Sequence, residues 1–196
     1  MTSMTYADIL RPATRERALA YDAALALGGS LALALSAKVS APFFPVPITA
    51  QTLVVLLLGA LLGARRGAMA VLAYLAEGAS GLPVFAGGMA GPLYMAGPTG
   101  GYLVGFVGAA WLTGRLAEYG WDRRTGTTVL AMLAGDAVLF AAGVAWLSLW
   151  CGFIGTKGAL AVGLWIFLPG EALKIAAAAL ALPAGGRLLG RTGRGR

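Results

Sequence analysis

Six apolar stretches, residues 18–39, 48–63, 67–80, 100–116, 127–151 and 159–182, run through this chain with few charges inside them. A helix that crosses a bilayer must close its backbone hydrogen bonds over about 30 Å of hydrocarbon, which takes about 20 apolar residues within a range of roughly 17–25. Four of the stretches meet that length. The second and third are shorter and meet at Gly63-Ala64-Arg65-Arg66-Gly67. This predicts a tight turn between two short or tilted helices, or a re-entrant pair that would leave four full spans. Composition agrees with a membrane solvent: 59% of the 196 residues are hydrophobic and 12% are charged, against about 25% charged in a soluble domain. The expected architecture is an all-α integral membrane protein, with one transmembrane domain over residues 1–196. A short cytoplasmic segment covers about residues 1–17 and a basic cytoplasmic tail about residues 185–196.

Charge placement selects six spans, because Lys and Arg collect near helix ends on the cytoplasmic side. With six helices and both termini inside, the inner side receives Arg11, Arg15, Arg17, Arg65, Arg66, Arg115, Arg123, Arg124, Arg187, Arg191, Arg194 and Arg196. The outer side receives only Lys38 and Lys157, and Lys174 lies within a span. The net charge of +7 then reports orientation and contact with anionic lipid head groups. Nucleic acid is not expected as a partner, since the arginines scatter over several loops instead of forming one stripe. Residues 1–20 are polar and lack the apolar core of a signal peptide, so the first apolar stretch is expected to remain in the mature protein. Cys151 is the one cysteine; it reads as a small apolar filler, and no intrachain disulfide can form.

The chain has no histidine, which excludes His-based metal sites, His general bases and Ser-His triads together. Gly155-Thr156-Lys157-Gly158 lacks the first glycine and the final hydroxyl of a phosphate-binding loop. Any ATP-driven work therefore belongs to another polypeptide. No nucleophile stands near a plausible base, so no catalytic residue, metal ligand or enzymatic activity is expected.

The outer connections are too structured to be linkers. Ala41-Pro42-Phe43-Phe44-Pro45-Val46-Pro47-Ile48-Thr49-Ala50-Gln51-Thr52 holds three prolines beside two aromatics, a stiff, extended segment suited to a lid. Residues 81–102 are glycine-rich yet apolar and carry Phe85, Tyr94 and Tyr102. Their glycines, Gly87 and Gly88 among them, let backbone approach a ligand, and the aromatics supply walls with polar tips. Gln51 and Thr49 offer amide and hydroxyl groups at the mouth of the second helix.

The last stretch contains Pro169-Gly170-Glu171-Ala172-Leu173-Lys174. Each charge at the bilayer centre costs roughly 2.5–3.5 kcal/mol to insert. Glu171 and Lys174 can neutralise each other at i,i+3 spacing. Pro169-Gly170 is nonetheless expected to break the helix just before them, and broken helices beside ionisable groups build substrate sites in transporters. Glu77 and Asp136 are weaker candidates: Glu77 can face water near a helix end, and Asp136 can bond neighbouring helices. In the first helix Ala20, Ala24, Gly28, Ala32 and Ser36 form a small-residue stripe that permits close approach by a partner helix.

The run Pro45-Val46-Pro47-Ile48-Thr49-Ala50-Gln51-Thr52-Leu53, the turn Leu62-Gly63-Ala64-Arg65-Arg66-Gly67, the loop Gly81-Leu82-Pro83-Val84-Phe85-Ala86-Gly87-Gly88, then Gly97-Pro98-Thr99-Gly100-Gly101-Tyr102 and Phe167-Leu168-Pro169-Gly170-Glu171-Ala172-Leu173-Lys174 together resemble the BioY family. These are the biotin-specific substrate-capture subunits, or S components, of energy-coupling-factor (ECF) transporters. The resemblance spans nearly the whole chain in order. It implies a six-helix protein of the bacterial cytoplasmic membrane that captures biotin from outside with high affinity. It also implies a transmembrane coupling (T) subunit and cytoplasmic ATPase subunits as partners, so that ATP is used only by the partners and no covalent cofactor is held. Where the family's motif reads Pro-Gly-Asp-x-x-Lys, this chain has Glu171 in the acidic position.

Biotin presents an apolar bicycle, a ureido group and a carboxylate on an alkyl chain. A matching pocket has Phe85, Tyr94 and the prolines as its wall, with Pro45, Val46 and Pro47 as gate. Glu171 and Lys174 then serve the ureido group, with glycine-loop N–H groups and a tyrosine such as Tyr102 on the carboxylate; the reverse assignment puts Lys174 on the carboxylate. Two alternatives stay open: a stand-alone vitamin facilitator or secondary transporter, and a capture subunit for another small vitamin.

Overall fold

The computed structural model describes residues 4–150 and 155–188, and its regular structure is almost entirely helical. In chain order come α1 (Tyr6–Ile9), α2 (Arg15–Lys38), a hairpin of β1 (Ser40–Ala41) and β2 (Ile48–Thr49), α3 (Gln51–Leu62), α4 (Ala64–Ala79), α5 (Pro92–Met95) and α6 (Gly100–Glu118). Then follow α7 (Thr125–Trp150), α8 (Gly155–Leu160), a π-helical turn (Ala161–Trp165) and α9 (Leu168–Leu188). Cys151, Arg191, Arg194 and Arg196 lie outside the described residues. The tail expected from about residue 185 begins as the last turns of α9.

Among the described residues, three stretches are both long and apolar enough to cross a bilayer: Arg15–Lys38, Thr125–Trp150 and Lys157–Arg187. With 19 residues, α6 has the length, but its glycines and Arg115 lower its hydropathy. It needs less, because Gly101, Gly105, Ala109, Ala110, Thr113 and Gly114 are all buried against other helices.

Small residues set how closely the helices approach. A Cβ at Gly59 would run into the Ala110 carbonyl of α6, and one at Gly114 into the backbone of Gly63 and Ala64. The α3–α4 turn is tighter than the five-residue turn expected: Gly63 alone makes it, with φ 86°, a left-handed conformation that glycine adopts without strain. The Ala64 N–H, orphaned at the start of α4, donates to Glu118 Oε1 at 2.9 Å.

The predicted break at Pro169-Gly170 does not occur. Both residues lie in the first turn of α9, where a proline's missing N–H has no helical acceptor to lose, and the Glu171 N–H donates to the Phe167 carbonyl at 3.0 Å. The irregularity lies just before them at Ile166-Phe167 and, one to two turns earlier, in the π turn.

The two ends of the bundle differ. At one end Arg11, Asp22, Arg65, Arg66, Arg115 and Glu118 surround a cavity of about 610 Å³. Residues 5–11, expected only as part of a short polar cytoplasmic segment, are strapped there. Arg66 donates to Asp8 at 2.7 Å and to Asp22 at 2.6 Å, Tyr21 Oη donates to the Ala7 carbonyl at 3.0 Å, and Tyr6 Oη donates to the Leu182 carbonyl. Burial opposes ionisation of Asp8, but hydrogen bonds from Arg66 and Thr5 outweigh it and hold the carboxyl below the usual carboxylate range. The other end is closed by the hairpin loop and by residues 81–98.

Gly114→Val should cost on the order of 2–3 kcal/mol, the upper range for overpacking, because the added atoms meet backbone rather than a movable side chain. Thermal unfolding of the detergent-solubilised protein measures it, and an unchanged midpoint would contradict the packing described.

Candidate functional site

At the capped end α9 meets the first turn of α3. Glu171 is 3% exposed, and Lys174 stands one turn later. Lys174 Nζ donates to Glu171 Oε1 at 2.7 Å, to Thr52 Oγ1 at 2.8 Å and to the Thr49 carbonyl at 2.7 Å. An ammonium has three N–H donors, and all three are used. The Thr52 hydroxyl in turn donates to Glu171 Oε1 at 2.9 Å.

The polar chain continues into the caps. The Gln51 backbone N–H donates to Thr49 Oγ1 at 3.2 Å, Gln51 Nε2 donates to Tyr74 Oη at 2.8 Å, and Tyr74 Oη donates to the Val84 carbonyl at 3.3 Å. One network therefore runs from the charge pair through α3 and α4 to the root of the glycine-rich loop.

Two cavities lie above this network. The inner one, about 40 Å³, is bounded by Val46, Pro47, Thr49, Gln51, Thr52, Tyr94, Thr99, Tyr102, Phe140 and Phe167 among others. The outer one, about 750 Å³, opens between the hairpin loop and residues 86–99. Pro47, Ala86, Tyr94 and Thr99 border both, and so form the partition between them. The outer volume falls within the roughly 300–1,000 Å³ typical of ligand pockets, whereas the inner one exceeds a single water by little.

The expected site residues distribute unevenly over this arrangement. Thr49, Gln51, Tyr94 and Tyr102 line the inner cavity, with Val46 and Pro47 of the hairpin above them; Gly87 and Pro45 line the outer one. Phe85 lines neither: it is fully buried, edge-on to Tyr74 at 5.5 Å and stacked on Tyr94 at 5.1 Å. It therefore supports Tyr94 from behind. Gly88 is exposed and also lies off both cavities. The Tyr102 hydroxyl turns away and donates to the Gly163 carbonyl of the π turn at 2.7 Å.

Glu171 and Lys174 sit one residue behind the inner wall, reaching it through Thr49 and Thr52. Glu171 also borders a separate cleft of about 790 Å³ between α7 and α9, as does Asp136. Glu77, a weaker candidate able to face water near a helix end, is half-buried and accepts from Ser30 Oγ at 2.7 Å, which ties α4 to α2. On α2, Ala20, Ala24 and Gly28 are exposed, Ala32 is half-buried and Ser36 is buried.

Sequence reasoning passed over Thr52, although it lies inside a motif and a hydroxyl near a lysine in an apolar chain is a usable signal. It also passed over Phe140 and Phe167, whose rings pack at 5.8 Å to floor the inner cavity. Aromatics in apolar helices carry no mark that distinguishes cavity floor from core.

A family model described as the BioY family matches residues 7–191. A biotin transporter BioY of Rhizobium etli is 43% identical over 157 residues, covering 76% of this chain and 83% of that protein. A biotin transporter BioY of Thermotoga maritima is 37% identical over 152 residues, covering 76% and 85%. In fold the chain is similar to the crystal structure of the S-component for biotin from an ECF-type ABC transporter. That likeness has a TM-score of 0.74 at 24% identity and covers 93% of this chain and 96% of that one.

Lys174→Met leaves a buried carboxylate without its counter-ion and should cost about 3–5 kcal/mol, while Lys174→Met with Glu171→Met should recover most of that loss. Thermal unfolding of both variants in detergent decides it. A double variant no more stable than the single one would show that the pair is not the origin of the effect.

Proposed function

The chain belongs to the BioY family, and from that premise we infer that it binds biotin at its capped end and serves biotin uptake as the substrate-capture subunit of an ECF transporter. The observation that carries this reading is the unbroken polar network from Lys174 to Val84 beneath two structured loops, in a protein otherwise built of apolar helices. Biotin's ureido group needs donors and an acceptor side by side, and its bicycle needs an apolar wall. Thr49, Thr52 and Gln51, backed by Lys174 and Glu171, supply the first; Tyr94, Pro47, Phe140 and Phe167 supply the second.

The inner cavity is too small for biotin, so entry requires the partition of Pro47, Ala86, Tyr94 and Thr99 to part and join the two cavities. The hairpin is the gate in this scheme. Its ladder holds only the pairs Ser40–Thr49 and Ala41–Ile48, and Phe44 at its tip is 79% exposed.

Six spans with both termini cytoplasmic agree with the gathering of Arg11, Arg65, Arg66 and Arg115 at the end opposite the caps. On this reading the caps face outward from a bacterial cytoplasmic membrane. The exposed small-residue face of α2 docks a coupling subunit at its inner half, and partner ATPases supply the energy.

Isothermal titration of biotin into the purified, detergent-solubilised chain should show saturable binding at one site, weakened at least about tenfold by Lys174→Met, a loss of about 1.4 kcal/mol or more. Wild-type affinity in that variant would remove Lys174 from the site. Ala24→Leu with Gly28→Leu should leave biotin binding intact and abolish ATP-linked uptake in vesicles containing the coupling subunits. Uptake by the chain alone in liposomes would instead favour a stand-alone transporter.

A further inference from the structure

Asp136 lies near the middle of α7 and is 6% exposed. Among the described residues no donor reaches either of its oxygens, nor Oε2 of Glu171. Both residues line the cleft between α7 and α9, whose other walls are Leu, Ile, Val, Ala and Phe side chains. The one hydroxyl there, Ser148, is turned onto the Val144 carbonyl at 2.8 Å. An ionised carboxylate without donors in such surroundings is among the costliest groups a membrane helix can carry.

Compensation has few sources. From α9 come Glu171 and Lys174, whose charges act on Asp136. From α6 come Tyr102, committed to Gly163, and Arg115 and Glu118, which pair with each other at the basic end. α3 contains no titratable residue, Lys157 of α8 is exposed, and Asp122, Arg123 and Arg124 precede α7 at the basic end. The cluster therefore holds two carboxylates and one ammonium whose three donors are all occupied, and it is short of one positive charge. A metal ion does not fit: the described residues contain no group of three or more His, Cys, Asp or Glu side chains, and hard cations take about six or more oxygen ligands. A proton needs only the carboxylate itself.

We propose that Asp136 is a proton-binding site linked to ligand capture through Glu171 and Lys174. The link rests on the reading above, in which Lys174 serves the biotin site. When ligand draws the ammonium toward itself, the Lys174–Glu171 contact loosens and the two carboxylates lose their shared counter-ion. One proton from solvent then forms an O–H bond on Asp136 and offsets the negative charge left uncompensated in the cleft. One anionic biotin and one proton enter together, and no other bond is made or broken.

The test is titration of biotin into the full, detergent-solubilised chain in buffers of different ionisation heat. Wild type should take up a measurable fraction of a proton, approaching one, and its affinity should rise as pH falls from about 8 to about 6, a range in which biotin's own carboxyl stays ionised. Asp136→Asn, neutral like the protonated acid, should bind biotin within about threefold of wild type at about pH 6 but without proton uptake and with a flat pH profile. Infrared difference spectra, biotin-bound minus free, give a second readout on the wild-type protein: a protonated-carboxyl C=O band should appear on binding, and Asp136→Glu should shift it. Wild-type binding without proton uptake and without that band overturns the proposal, as does proton uptake that survives in Asp136→Asn. Loss of biotin binding by a folded Asp136→Asn overturns it too, by making Asp136 a ligand contact. Absence of any biotin binding by wild type would instead sink the functional reading on which the link rests.

Discussion

A lysine ammonium half-buried among apolar helices needs an acceptor for each of its protons, and the way Lys174 meets that demand organises the capped end of this protein. Its three partners come from α9 itself and from the first turn of α3 and the residue that leads into it. Thr49 is at once a ladder residue of the hairpin and the acceptor for Lys174. The bonds that satisfy this half-buried charge thus fasten the root of the hairpin to α9, and Gln51 and Tyr74 extend the same hold to the glycine-rich loop. Two motifs far apart in the chain are one piece of chemistry. A ligand that competes for any donor in this network is felt at both caps.

The caps are not equivalent. Residues 81–98 are anchored by Phe85, whose ring fills the space beside Gly78 so closely that a side chain there would collide with it. Trp146 Nε1 adds a bond to the Gly97 carbonyl at 2.8 Å, and Lys38 Nζ one to the Pro83 carbonyl at 2.7 Å. The hairpin has a two-pair ladder and an exposed tip, with Val46 as its buried foothold. Segments with few buried contacts open first. The glycine-rich loop is therefore the more firmly held wall, carrying Tyr94, and the proline hairpin is the less firmly held cap, as the proposed gate requires.

Most helix bounds were legible in the sequence to within a few residues because apolar length is a direct consequence of the solvent; the stretch expected at 159–182 is instead divided among α8, the π turn and α9, which runs to Leu188. The stretch expected at 127–151 became Thr125–Trp150, and that at 18–39 became Arg15–Lys38. The prominence of the charge pair was legible for the same reason, since charges in an apolar run stand out. Side-chain direction was not. Phe85 and Tyr94 are indistinguishable as loop aromatics, yet one is core and the other lines both cavities, because only the fold decides which ring Gly78 can accommodate. Pro169-Gly170 read as a break because proline interrupts a helix interior, but near a helix start the same residue costs nothing. Residues 5–11 read as part of a polar cytoplasmic segment because their polarity matches water. Their fixation depends on Arg66, distant in sequence, finding Asp8 and Asp22 together.

Glu171 is where the chain departs from the Pro-Gly-Asp-x-x-Lys pattern, and its geometry gives the departure a physical meaning. One oxygen, Oε1, accepts from Lys174 and Thr52 beneath the caps. The other, Oε2, has no donor among the described residues, and its residue borders the α7–α9 cleft that Asp136 also lines. The carboxylate thus belongs to two compartments, and any change in its charge balance on one side must be met on the other. An aspartate here is shorter by one methylene, about 1.5 Å, and could not keep the same hold on Lys174 and Thr52 while extending as far toward the cleft. The longer side chain keeps Oε1 in the Lys174–Thr52 network while its residue borders the cleft that Asp136 also lines, and the proposed coupling between capture and a proton runs through that cleft.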